Sequence, residues 1–175
     1  MKREISRTFA AYKRDAWHFE RQTSDSREIS AHGEKVDVGT ASKDGVSARF
    51  TFGNSTYELS DIELDWYMAN YACKNKGMFL VSVESEAEDE FIISQLIPYW
   101  LSFWTSGNDL YKERQFYWDS TGHLLGPYTN WGFKQPDGGT SDENCLAYML
   151  AYNMPYSWHD AFCTTPYRFI CESYH

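Results

Sequence analysis

Residues 134–145 read KQPDGGTSDENC, a run that crowds Asp137, Asp142 and Glu143 among glycines and ends on Cys145. Glycine loses more conformational freedom in a helix or strand than any other residue, so the run is a loop, and the cysteine anchors one end of it. Four uses of such a loop compete. It is a solvated acidic turn, a cation site, a general acid/base pair, or a surface that meets a partner.

Composition narrows the choice. The chain has 175 residues, enough for one well-packed domain with an appendage. Seven Trp, thirteen Tyr and eleven Phe mean buried area or binding surface rather than disorder. The net charge is −9, and it divides unevenly. Residues 1–30 carry seven Lys/Arg against five Asp/Glu, a balance of +2, which leaves −11 for the rest. A body that acidic repels phosphate backbones, so nucleic acid is not the expected partner. No apolar run approaches the roughly 18 residues of a membrane-spanning helix.

The four cysteines, Cys73, Cys145, Cys163 and Cys171, contain no CxxC pair. Structural disulfides in an oxidising, extracellular setting are therefore expected in preference to a zinc ribbon or redox motif, with three pairings open. The start, MKREISRTFAAYKRD, is basic but lacks an apolar stretch, so it does not read as a secretory signal peptide. Asn54-Ser55-Thr56 is a glycosylation sequon in a turn-like setting.

Along the chain, Ile5, Phe9, Tyr12, Ala16 and Phe19 recur at helical spacing over residues 4–21, a helix that lies on the domain, frays in solution or serves as a neck for self-association. Residues 22–47 are polar and read as a linker, so the division is 1–47, charged helix and linker, and 48–175, the folded domain. ARFTFGNSTYEL predicts a hairpin turning at Gly53-Asn54. Ser60-Asp61-Ile62-Glu63 predicts a capping box opening a helix with Ile62, Trp66, Ala69 and Cys73 on its apolar face and Gly77 at its end. LVSV (80–83) predicts a strand, and Ser85 to Glu88 a second capping box whose helix stops before Pro98. Short strand-like segments follow: SFWTSG, QFYWDSTGHLL, CLAYMLAY, SWHDAFC and YRFICES. Two helices followed by short strands predict an α+β domain.

The order of these features resembles the C-type lectin family. The resemblance is carried by Cys73 on the first helix, FWTSGNDL (103–110) after the second, Thr129-Asn130-Trp131, Gln135-Pro136-Asp137, Glu143-Asn144-Cys145, Trp158-His159-Asp160, Cys163 and Cys171. It covers residues 48–175 and is greatest with the single-domain lectins of invertebrates. It implies two helices packed on short antiparallel sheets with a long calcium- and sugar-binding loop, and disulfides Cys73–Cys171 and Cys145–Cys163. The second bridge, closing a loop of 17 intervening residues, is worth about 3 kcal/mol in the chain-entropy model.

The resemblance also implies one Ca2+ held by Gln135, Asp137, Glu143 and Asp160, with Pro136 cis. Gln135 supplies a carbonyl oxygen, Asp137 and Glu143 carboxylates, and Asp160 a carboxylate and its backbone carbonyl, in keeping with the oxygen ligands calcium takes. Two neighbouring hydroxyls of one sugar complete the shell, and Gln-Pro-Asp goes with galactose-type ligands where Glu-Pro-Asn goes with mannose-type ones. His159 stands where the family usually has Asn as both calcium ligand and sugar donor, so the resemblance places it at the metal although nitrogen is a poor calcium ligand. The sugar contacts implied are Gln135, Asp137, Glu143 and His159. An aromatic ring to stack on the sugar would have to come from Tyr156, Tyr152 or Phe133. Gly138 stands where an auxiliary calcium site often has an acid, so a single ion is expected.

The expected function is that of a secreted recognition or agglutinating lectin for galactose-type glycans on cell or microbial surfaces, in the manner of innate immunity. The rival is a calcium-independent, protein-binding C-type-lectin-like module. An enzyme is not expected. HExxH, GxSxG and P-loop motifs are lacking, and a glycosidase pair at Asp137 and Glu143 needs a deeper cleft than a short loop builds. Zinc at His159, Cys145 and Cys163 would compete with the disulfide.

Overall fold

The computed structural model describes residues 45–137, 142–150 and 156–174. The helix over 4–21, nearly all of the linker, Gly138 and Tyr152 lie outside the described residues.

The chain enters as a hairpin, β1 (Val46–Phe52) and β2 (Ser55–Ser60), paired antiparallel with Phe52 opposite Ser55. Gly53 turns it at φ 58°, a left-handed conformation that glycine adopts without the steric cost of a Cβ. Asn54 is exposed at this turn. Val46 pairs with Ser60, so β1 starts two residues ahead of Ala48.

The first helix starts later than its capping box predicts. α1 spans Trp66–Asn75, and its N-cap is Asp65, whose carboxylate accepts the Met68 N–H at 2.8 Å. Ser60 is occupied elsewhere: its hydroxyl accepts the Phe169 N–H and donates to the Ile62 carbonyl, both at 2.9 Å. Leu64 forms a bridge with Tyr167, so the chain stays extended to Asp65, and Ile62 is exposed rather than on the helix face. Trp66, Ala69 and Cys73 form the buried face, and Gly77 follows the C-cap at φ 69°.

After β3 (Phe79–Leu80), shorter than the strand read at 80–83, comes α2 (Glu86–Leu96) and a 3-10 turn, Ile97–Tyr99. Only half of the second capping box forms. Ser85 Oγ accepts the Glu88 N–H, but the Glu88 carboxylate accepts from the Glu84 N–H at 3.0 Å and the Tyr57 hydroxyl at 2.7 Å.

The remaining strands are β4 (Phe103–Asn108), β5 (Tyr117–Trp118), β6 (Cys145–Leu150), β7 (Tyr156–Ala161) and β8 (Arg168–Tyr174). The sheet order is β1-β2-β8-β4-β6-β7, with β3 on β8 and β5 on β4. The ladders are antiparallel except β4 with β8, which run parallel, so the sheet is mixed rather than wholly antiparallel. The architecture is α+β, as the element order predicts.

Two apolar clusters stabilise it. One gathers Leu59, Ile92, Phe103, Tyr148 and Trp158; the other gathers Trp66, Leu80, Trp104 and all four cysteines. The disulfides are Cys73–Cys171, joining α1 to β8, and Cys145–Cys163, joining β6 to the segment after β7.

A buried acid gives this core a pH dependence. Glu172 on β8 is 1% exposed and accepts from the Ser82 N–H at 3.2 Å and the Tyr174 hydroxyl at 3.1 Å. Burial pushes its carboxyl up to about 7 from 4.5, and the Glu88 charge adds to the rise. A raised carboxyl stabilises the fold most below pH 4.5, and that contribution is lost as pH climbs through 7. Its size is roughly 3 kcal/mol. In thermal melts in a chelator, Glu172→Gln should flatten the fall in stability between pH 5 and pH 8. Parallel profiles for variant and parent would contradict the assignment.

Candidate functional site

Asp160 lies near the end of β7, opposite Leu146 on β6, and the Cys145–Cys163 bridge ties together the start of β6 and the segment that leaves β7. Its side chain is 7% exposed, and its Oδ1 accepts the Asp137 N–H at 3.3 Å, which fastens the loop to the strand. The loop is shaped locally by the Gln135 N–H donating to the Gly132 carbonyl at 2.9 Å, by Lys134 at φ 66°, and by a cis Gln135–Pro136 bond.

Asp137, Glu143 and Asp160 converge. One carboxylate oxygen from each lies within 4.8 Å of the others. Gln135 Oε1 is buried and has no hydrogen-bond partner among the described residues. Burial pushes the Glu143 carboxyl up, and the charges of Asp137 and Asp160 push it further. Converging carboxylates and an orphaned amide oxygen are a poor arrangement for an empty surface and a good one for a hard cation with oxygen ligands. Asp142, the third acid of the loop, is exposed and outside this group.

His159 is not brought into the group. Successive side chains of a strand point to opposite faces, so His159 leaves β7 on the side of Ser157 while Asp160 leaves it on the other. Its Nε2 is 3.1 Å from Ser157 Oγ. The ring lies over Gly132, where a Cβ would stand 2.6 Å from Nε2, so any larger residue there would have to displace the ring. Burial holds its pKa below 6.5, against the pull of Asp160 and Asp137, so the ring is neutral at pH 7.

Tyr156, a candidate stacking ring, is corrected by the structure. It is 1% exposed, and its hydroxyl donates to the Leu101 carbonyl at 2.8 Å, so it is a core residue at the start of β7. Phe133 faces solvent, 81% exposed, with Lys134 Nζ 5.5 Å from its ring centroid. Trp158 is wholly buried and Trp131 partly so.

Two acids escaped the sequence reading. Asp109 is 3% exposed; its Oδ2 accepts the Arg114 N–H at 2.7 Å and its Oδ1 is buried without a partner. Burial raises its carboxyl, as do the charges of Glu113 and Asp160. Asp89, on α2, is 1% exposed and accepts four hydrogen bonds: from Tyr128 at 2.8 Å, Asn130 at 2.7 Å, Trp158 at 3.0 Å, and the Tyr148 hydroxyl. Through Asn130 and Trp158 it fixes the root of the loop, since the Trp158 N–H donates to the Asn130 carbonyl and the Gly132 N–H to that of Trp158. The signal in sequence was an acid on the helix stripe shared with Ile92 and Leu96.

Residues 62–173 match the model of the Lectin C-type domain family. The chain belongs to that family. Among its relatives, C-type lectin 37Db of Drosophila melanogaster is 30% identical over 120 residues, covering 69% of this chain and 78% of that protein. The carbohydrate-recognition domain of the mouse scavenger receptor C-type lectin superposes with a TM-score of 0.65 at 26% identity, over 73% of this chain and 94% of that one. A calcium-independent type II antifreeze protein shares the fold at a TM-score of 0.62 and 21% identity, over 72% of this chain and 91% of that one.

Proposed function

We propose that this domain binds one Ca2+ at Gln135, Asp137, Glu143 and Asp160, and through that ion the paired hydroxyls of galactose-type glycans. The observation that carries the reading is the convergence of three carboxylates within 4.8 Å beside an amide oxygen without a partner. A divalent ion relieves the repulsion that raises the Glu143 carboxyl and satisfies the orphaned Oε1. A sugar hydroxyl that gives one lone pair to the ion still accepts one hydrogen bond and donates another. The amide at 135 and the carboxylate at 137 therefore present donor and acceptor in a fixed order, and the order suits one hydroxyl geometry over another. Phe133, exposed at the same loop, takes over the stacking role first weighed for Tyr156.

The partners on this reading are galactose-type glycans of cell or microbial surfaces, met outside the cell, where two disulfides persist. A single shallow site binds weakly, so self-association through residues 4–21 would raise avidity. The second reading is a calcium-independent, protein-binding domain. It draws on His159, whose Nε2 is paired with Ser157 in place of the ion-facing Asn usual in the family.

Affinity chromatography separates the two. The protein should be retained on immobilised galactose in calcium and released by a chelator. Exchanging Gln135 for Glu and Asp137 for Asn together should shift retention toward mannose. Retention indifferent to the chelator sinks the calcium reading, and unchanged preference in the double variant removes the triplet as selector.

A further inference from the structure

Pro136 of the loop also lines a groove of about 280 Å³, together with Arg114, Phe116, Leu124, Thr129 and Trp131 among others. Two of its lining rings, Phe116 and Trp131, meet edge to face at 4.9 Å. Pro136 walls the groove while the residues on either side of it, Gln135 and Asp137, belong to the candidate cation site. A glycan seated at the ion therefore has this groove next to it.

The charges around the groove are unlike those elsewhere. Residues 45–175 hold seven Lys/Arg. Arg49 and Lys76 pair with Glu58, Lys74 pairs with Asp119, and Arg168 lies over the Tyr99 ring. The other three are Lys112, Arg114 and Lys134. Among the described residues, none of these three has a carboxylate within ion-pair distance. Arg114 lines the groove, Lys112 is on the same loop, and Lys134 is two residues from Pro136. Glu113 is the acid between the first two. Arg114 also holds φ 63°, a left-handed conformation that glycine adopts freely and that costs other residues about 1–2 kcal/mol. A charged side chain kept at such a position, on a loop fixed by the Asp109 carboxylate, points to a use for the charge.

We propose that the groove is an anion subsite of the sugar site: it takes a sulfate ester or carboxylate carried on a galactose-type glycan, with Arg114 as the recognising group and Lys134 and Lys112 adding to the field. The inference rests on the calcium–galactose reading and narrows its ligand to acidic galactans. The guanidinium matches either oxyanion with paired N–H donors, and the aromatic lining of Phe116 and Trp131 takes the apolar face of the neighbouring sugar.

The test measures binding of the full chain, in calcium, to three probes: a neutral galactose disaccharide, the same disaccharide carrying a sulfate, and the same carrying a carboxylate. The charged probes should bind about fivefold tighter than the neutral one at low salt, an advantage that shrinks as salt is raised. Whichever charged probe gains more identifies the natural group. Arg114→Gln should bring the ratio to about one and leave neutral binding unchanged, and Arg114→Gly, which also relaxes the left-handed backbone, should do the same. A ratio of one in the parent, or a ratio unaltered in both variants, overturns the subsite. Absence of neutral binding with a charge advantage that Arg114→Gln removes would instead overturn the galactose reading and leave the anion site standing.

Discussion

Asp160→Asn should weaken calcium binding by on the order of 30- to 150-fold, which corresponds to about 2–3 kcal/mol. The substitution keeps the shape and an oxygen that still accepts the Asp137 N–H, while it removes one charge. That charge sits at 7% exposure, where water screens it poorly, and it is one of three that meet within 4.8 Å. The same crowding gives a second readout. In a chelator the variant should melt no lower than the parent, because one member of a mutually repelling group has gone. Loss of calcium binding with an unchanged or raised melting temperature assigns Asp160 to the ion, whereas a large fall in stability without calcium would assign it to the fold.

Asp89→Ala should have the opposite signature. Its carboxylate is the common acceptor of Tyr128, Asn130, Tyr148 and Trp158, and the last two are wholly buried. Burial raises its carboxyl, and the four donors work against that rise. Truncation leaves those donors facing a cavity, at about 1–3 kcal/mol for each that stays unsatisfied, so a total of about 3–5 kcal/mol is expected. For a domain of this size that lowers the melting temperature by about 10 °C or more. Calcium affinity should fall as well, because Asn130 and the backbone of Trp158 hold the root of the loop. Asp89→Asn, which keeps an acceptor, should lose less. A melting temperature for Asp89→Ala within about 2 °C of the parent would contradict this account.

Much of the fold was legible because local rules and tertiary packing agree there. The hairpin announced itself through Gly53-Asn54 between alternating strands, and Trp66, Ala69 and Cys73 through helical spacing. The first N-cap was misread at Ser60 because a four-residue pattern cannot register that Leu64 is held straight by Tyr167, distant in sequence. The parallel pairing of β4 with β8 is likewise a long-range fact. Within the site, the carboxylates were legible and the partners of β7 were not. Alternation along Tyr156–Ala161 separates His159 from Asp160, and the same rule puts Tyr156 on the side of Trp158, in the core. The rule was available in the sequence. What it lacked was which face of β7 is covered. Asp89 stayed hidden for a related reason: its four donors come from three segments that only the fold assembles.

The central claim is that the loop binds calcium, and a calorimetric titration of the full chain with calcium tests it most directly. The account predicts saturation at one ion per chain, with a raised melting temperature at excess calcium, and both lost in Asp160→Asn. A folded protein that shows neither heat of binding nor any calcium-dependent stabilisation would contradict it.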